Sequence, residues 1–401
     1  MSFVDTISRK AFRTQLDRIH WGRIDLADNG SSRVFGNGHG PRVTLDIKDE
    51  RFYRSTVMGG SVGAAEAYME GWWTTDNLTD LVRVLVRNKD VLDGMEKGAA
   101  RAVQPVRNLM HWLARNTREG SRKNIAAHYD LGNDFFRLFL DETLTYSCGI
   151  FEDEGKTLKE ASEAKYDRIC QKLELSPDTH VVEIGTGWGG FALHAAGKYG
   201  ARVTTTTISK EQHKLAVERI RAAGLDEQID VLLKDYRDLE GAYDRLVSIE
   251  MIEAVGHDYY ETYFETCARL LKPDGMGTIQ AITIRDHEYE RARKEVDFIK
   301  RYIFPGCNIP SLARLLEAAG TTDLTLFHLD DITPHYATTL RLWREAFFAN
   351  ADRIKAMGFD DAFLRMWEFY FCYCEGGFAE RVIGDVQLTF TKPLSRREPI
   401  L

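Results

Sequence analysis

Residues 181–200 read VVEIGTGWGGFALHAAGKYG. A short β-branched apolar run meets Gly185, Gly187 and Gly189 and then an apolar run at helical spacing, which predicts a buried strand, a tight turn and a helix. Glycines in such a turn allow positive φ and let a ligand lie against bare backbone. Working outward, THVVEIG (179–185), ARVTTTTIS (201–209), IDVLLKD (229–235), YDRLVSI (243–249) and GTIQAITI (277–284) read as strands, with helices through FALHAAGKYG and EQHKLAVERIRAAG between them. Alternating strands and helices with apolar β-branched strands predict a doubly wound, mostly parallel α/β sheet of the Rossmann-like kind.

The 401 residues exceed one ordinary core, which predicts two domains: a small α+β domain over 1–120 and a catalytic α/β domain over 121–401. In the first, RVTLDI and RFYRSTV read as strands and GAAEAYMEGWWTTDNLTDLVRVLVRN as a helical patch. The late stretch from PHYATTLRLWREAFFAN to RMWEFYFCYCEGGFAERV reads as a helical lid inserted to close over the site. Its aromatics Phe347, Phe348, Trp367, Phe369, Tyr370 and Phe371 suit either an acyl channel or a helix core.

Composition is globular, 44% hydrophobic and 28% charged, with no apolar run long enough to span a bilayer and no leader pattern. A cytoplasmic protein is expected. Six cysteines without paired spacing predict free thiols and no metal. The net charge of -8 is uneven: residues 1–123 hold 20 Lys and Arg against 15 Asp and Glu, the remainder 33 against 46. The basic amphipathic segment Lys97–Lys123 suits an anionic membrane surface or packing as a linker. Aromatic-interleaved basic motifs for nucleic acid are missing.

Glu183 precedes Gly185 by two positions, giving ExGxGxG, the arrangement of S-adenosylmethionine sites rather than nicotinamide sites. The next strand ends at Thr207 with Gln212 beyond, where many methyltransferases carry an acid for the ribose hydroxyls. Asp235 offers a carboxylate to the adenine amino group, with Tyr236 beside its face and Arg237 following.

Six segments then carry a family resemblance: HYDLGNDFFRLFLDETLTYSCGIFED, VVEIGTGWGGFALHAA, TISKEQHKLAVERI, YRDLEGAYDRLVSIEMIEAVG, YIFPGCNIPS and HYATTLRLW. Over most of 123–401 the chain resembles the cyclopropane fatty acid synthases, and GAAEAYMEGWW resembles the extra domain of the phospholipid-acting members. The resemblance implies transfer of a methyl group from S-adenosylmethionine to a cis double bond of a phospholipid acyl chain. A proton lost from that methyl group then closes a cyclopropane ring. It implies a bicarbonate ion cradled by Cys148, Glu253, Tyr336, the Gln280 side chain and the Ile282 backbone. Tyr129, Tyr146 and Ser147 would close over the methionine end of the cofactor. Cys374 matches a cysteine traditionally regarded as the active-site residue, although the chemistry needs no thiolate. Many members carry His at the place of Gln280. An amide cannot titrate, so a methyl- or methylene-branched product is the alternative. Family habit implies a homodimer attached peripherally to the inner membrane face.

Overall fold

The computed structural model describes residues 3–96 and 131–400. The basic segment 97–123 and Tyr129 lie outside the described residues. The chain opens with helix α1 (Phe3–Leu16) and strands β1 (Arg23–Asp28), β2 (Ser31–Gly36) and β3 (Arg42–Ile47). Helix α2 (Arg51–Met69), strand β4 (Trp73–Thr75) and helices α3 (Leu78–Arg87) and α4 (Lys89–Glu96) follow. The four strands form a sheet in the order β2-β1-β3-β4. RVTLDI is β3, with Val43, Leu45 and Ile47 buried in alternation. RFYRSTV is a correction: it opens α2 instead of forming a strand. Phe52, Tyr53 and Thr56 are buried while Arg51 and Arg54 are exposed, a helical and not a two-residue period. Asp49 starts that helix by accepting the Arg51 backbone N–H at 2.9 Å.

In the second unit a one-turn helix at Asn133–Phe136 precedes α5 (Leu158–Lys172), which is started by a capping box between Thr157 and Glu160. Then come β5 (His180–Ile184), α6 (Gly190–Tyr199), β6 (Arg202–Thr207), α7 (Lys210–Ala222), β7 (Ile229–Leu233) and β8 (Tyr243–Ile249). These are followed by α8 (Tyr260–Leu270), β9 (Leu271–Ile284), α9 (Leu312–Ala319), β10 (Thr325–Asp331), α10 (Thr333–Ala349), α11 (Asp361–Ala379) and β11 (Ile383–Thr391). Seven strands make one sheet in the order β10-β11-β9-β8-β5-β6-β7. Only β11 runs antiparallel to its neighbours in it.

Both faces of the sheet are covered at β5, which is why it buries consecutive positions. Val181 packs with Ile169 of α5 and Phe191 and Ala195 of α6. Its neighbour Val182 packs with Tyr263 and Phe264 of α8 and Leu315 of α9. Burying each such side chain contributes roughly 1.5–3 kcal/mol. From β5 the chain proceeds to β6 on one side, while β8 lies on the other. The carboxyl ends of β5 and β8 therefore flank the topological switch point, where open α/β sheets bind ligands.

Contacts divide the described chain differently from a single break at residue 120. Residues 294–305 and 340–382 group with the amino-terminal unit, and 131–293, 306–339 and 383–400 form the other. The partners of the late helices explain this. Glu368 of α11 accepts from Tyr68 of α2 at 2.6 Å, and Glu375 accepts from Thr79 of α3 at 3.0 Å. Glu380 accepts from Arg83 at 2.8 Å, and Phe298 lies 4.8 Å from Phe369, ring to ring. Phe347 stacks on Trp367 at 5.9 Å and packs edge-on to Phe371 at 5.6 Å, so these aromatics form a helix core within that unit. Among the described residues no helix is long and apolar enough to cross a membrane.

Candidate active site

The turn after β5 is built from backbone. Gly185, Gly187 and Gly189 have φ of 102°, 52° and 85°, conformations that side chains other than glycine's rarely adopt. A Cβ at Gly187 would meet no heavy atom within 4 Å, so the space beside that backbone is open. The Gly185 and Thr186 amides both donate to Thr206 O, at 3.1 and 3.0 Å, which locks the turn to β6. Glu183 is fully buried beneath it and accepts from Thr205 Oγ1 at 2.6 Å. Burial raises its pKa to about 8, so it is protonated at neutral pH and can both donate and accept. Thr207 Oγ1 donates to Gln212 Oε1 at 3.0 Å, which aims the Gln212 amide nitrogen away from β6. Asp235 is held by Arg237 through side-chain bonds of 2.6 and 2.8 Å and accepts from its backbone N–H at 3.1 Å. Tyr236 packs edge-on against Tyr263 at 5.6 Å. These groups leave an open glycine backbone with polar side chains on β6 and at the end of β7, a setting that fits a nucleoside attached to an amino acid.

The loop after β8 works through side chains. Glu250, a non-glycine residue at φ 47°, turns its carboxylate inward. Its Oε1 accepts from the Cys148 backbone N–H at 2.9 Å and from Gln280 Nε2 at 2.7 Å; its Oε2 accepts from Tyr336 OH at 2.6 Å. Three of the groups expected to cradle bicarbonate thus converge, and they converge on Glu250. The fourth donor, the Ile282 backbone N–H, goes to Glu253 Oε1 at 2.5 Å. Four donors expected around bicarbonate thus go to carboxyl groups of the chain itself, three to Glu250 and one to Glu253.

Charge in this cluster is kept low by protonation. Burial, then the Glu250 charge, raises Glu253 to about 8, and its buried Oε2 has no hydrogen-bond partner. Asp385 of β11 accepts from Gln280 Nε2 at 3.1 Å. Burial, then the charge of Glu250 and a hydrogen bond with it, push Asp385 well above the ordinary carboxylate range. Lys165 of α5, fully buried, donates to Ser147 Oγ at 2.5 Å and lies 4.6 Å from the centre of the Tyr166 ring. Burial lowers its pKa, opposed first by the Glu250 charge. Burial likewise pushes the Cys148 thiol well above its usual value, and its Sγ points at Gly149 O, 3.2 Å away. Cys148 contributes a backbone N–H here and not a thiolate.

Tyr146 packs against Phe136 at 5.4 Å, adjacent in sequence to Ser147. Cys374 sits on α11, in the amino-terminal unit by contact. Glu250, Asp385 and Lys165 were not anticipated. The available signal was the run Ile249-Glu250-Met251-Ile252-Glu253, which puts two carboxylates three positions apart at the carboxyl end of a buried strand.

The profile of the mycolic acid cyclopropane synthetase family matches residues 116–388. The chain is 40% identical to a tuberculostearic acid methyltransferase of Mycobacterium tuberculosis, over 83% of this chain and 79% of that one. It is 34% identical to the cyclopropane-fatty-acyl-phospholipid synthase of Escherichia coli K12, over 93% of this chain and 94% of that one. A mycolic acid cyclopropane synthase solved with S-adenosylhomocysteine and CTAB superposes with a TM-score of 0.62 at 35% identity, covering 68% of this chain and 98% of that one. The chain belongs to the mycolic acid cyclopropane synthetase family and is an S-adenosylmethionine-dependent methyltransferase.

Proposed function

We propose that the enzyme adds a one-carbon unit to the cis double bond of an unsaturated phospholipid acyl chain and closes a cyclopropane ring, with Glu250 as the anion of the site in place of bicarbonate. The observation that carries this reading is the Glu250 carboxylate held by Cys148, Gln280 and Tyr336. The open backbone at Gly185–Gly189, the protonated Glu183, Thr207, Gln212, Asp235 and Tyr236 would hold S-adenosylmethionine, with Tyr146 and Ser147 at its methionine end. When bound, that cofactor supplies an electrophilic methyl group. The π electrons of the acyl double bond form the new carbon–carbon bond, the broken carbon–sulfur pair stays on sulfur, and a cation is left on the adjacent carbon. Glu250 takes a proton from the new methyl group, and the freed pair closes the ring. Three donors pin the carboxylate and keep it from adding to the cation. Protonated Glu253 and Asp385, with Lys165 nearby, leave the cluster close to neutral and dry.

A second reading is favoured by Gln280, by the pinned Glu250, and by the likeness to a tuberculostearic acid methyltransferase. A hydride shift onto the cationic carbon before proton loss leaves an exocyclic methylene instead of a ring. Purified enzyme, methyl-labelled S-adenosylmethionine and vesicles of cis-monounsaturated phospholipid separate the two by mass spectrometry. A product heavier by a methylene and resistant to hydrogenation supports the ring. A hydrogenatable product supports the branch, and no labelled acyl chain rejects both.

Delivery of the acyl chain completes the proposal. The amino-terminal domain, with the basic segment 97–123, docks on anionic membrane from the cytoplasmic side, as a homodimer. Co-sedimentation with anionic vesicles unchanged by neutralising Arg101, Arg107, Arg115, Arg118 and Arg122 would remove that part.

A further inference from the structure

Beneath Glu250 a line of buried polar side chains runs outward across the sheet. Gln280 of β9 and Gln387 of β11 stand directly opposite each other in register, and both are fully buried. Lys172, at the end of α5 and 5% exposed, donates from Nζ to Gln387 Oε1 at 2.8 Å and to Asp330 Oδ2 at 2.9 Å. Gln387 Nε2 donates to Gln280 Oε1 at 3.0 Å, and Gln280 Nε2 donates to Glu250 Oε1 at 2.7 Å and Asp385 Oδ2 at 3.1 Å.

A carboxamide has nearly the same shape when its oxygen and nitrogen are exchanged, so packing alone does not choose its orientation. The ends of the line choose it. An ammonium group only donates, so Gln387 must turn its oxygen to Lys172 and its nitrogen to Gln280. Gln280 must then turn its oxygen outward, to Gln387, and its nitrogen to the carboxyl cluster. With both amides reversed, the Gln280 carbonyl would face the Glu250 carboxylate, acceptor against acceptor, a mismatch that costs about 1–3 kcal/mol for each buried group left unpaired.

We propose that Lys172 is a positioning residue for Glu250, acting through the fixed polarity of Gln387 and Gln280; this rests on the reading of Glu250 as the anion of the site. Asp330 anchors the outer end, shared with Arg168 at 3.1 Å. A histidine at position 280 would have two different ring atoms to offer, whereas the amide depends on a cation two side chains away.

The test follows the position of the Glu250 carboxylate. The groups facing Glu250 are Cys148, Lys165 of α5, Glu253 on its own loop, Tyr336 of α10 and Asp385 of β11. Those around Lys172 are Arg168, His328 and Asp330. In full-length nitrogen-15-labelled protein, the Cys148 backbone amide reports on the carboxylate it donates to. Lys172→Met removes the fixed donor. Gln387→Met breaks the line while leaving Lys172 paired with Asp330, and Lys172→Arg keeps a donor in place. In both methionine variants the Cys148 amide resonance should move and kcat should fall by about tenfold, because Glu250 loses a fixed donor. KM for S-adenosylmethionine should hold, and Lys172→Arg should return the resonance and kcat toward wild type. Destabilised variants with the Cys148 resonance and kcat unmoved would make the line a structural strut and overturn the proposal. If Lys172→Met fails to fold, Gln387→Met carries the test. The amide signal needs no turnover, so an enzyme that modifies no acyl chain would sink the proposed reaction and still show whether the relay exists.

Discussion

The turn after β5 and the loop after β8 lie at the carboxyl ends of neighbouring strands and solve opposite problems. The first removes side chains so that a ligand can reach backbone, with three glycines at positive φ. The second accepts a strained non-glycine backbone at Glu250, φ 47°, in order to deliver a side chain. A left-handed conformation costs about 1–2 kcal/mol there. Three hydrogen bonds to a charged group contribute about 1.5–3 kcal/mol each, which more than offsets it. The difference teaches that a binding corner and a chemical corner of one sheet can be told apart by how each spends its backbone freedom.

Substitutions should separate the two corners. Glu250→Gln should lower turnover by roughly a thousandfold while leaving S-adenosylmethionine affinity within about threefold, read by label transfer and calorimetry. An equal loss of affinity would merge the corners into one. Gly187→Ala should do the reverse, weakening cofactor binding by at least about tenfold with a modest fall in melting temperature, since the strain costs about 1–2 kcal/mol but no protein atom lies within 4 Å of the added Cβ. Unchanged affinity would mean the ligand does not rest on that backbone. Tyr336→Phe should lower kcat about tenfold, less than Glu250→Gln, because Cys148 and Gln280 still hold the carboxylate. The smallest effect is one of pH. Glu183 has its pKa raised from 4.5 to about 8, so the stability it contributes is fully present below about 4.5 and is lost as pH rises through about 8. The melting temperature of Glu183→Gln should fall less steeply than wild type between about pH 5 and pH 9; parallel curves would show that Glu183 does not titrate there.

How legible each corner was follows from the same contrast. Glycine spacing and β-branched runs are local, and THVVEIG, ARVTTTTIS, IDVLLKD, YDRLVSI and GTIQAITI fall on β5, β6, β7, β8 and β9. Glu250 was missed because its direction depends on one backbone angle and on partners at 148, 280 and 336, which sequence spacing does not bring together. RFYRSTV has strand-like composition, yet Phe52, Tyr53 and Thr56 bury one helical face. In the late helices, aromatic content announced burial but not the partner: Glu368 and Glu375 pair with α2 and α3. Nothing in the sequence around Lys165 separates it from a solvated helix lysine, yet the fold buries it fully.

Glu250 also carries a consequence for supply. A site that borrows its anion from solution is hostage to dissolved carbon dioxide and to the pH that sets its hydration. With Glu250 as the anion, as proposed, the enzyme would bring its own within the chain. Thorough degassing should then leave its rate unchanged, and its activity in a cell would follow lipid and cofactor alone.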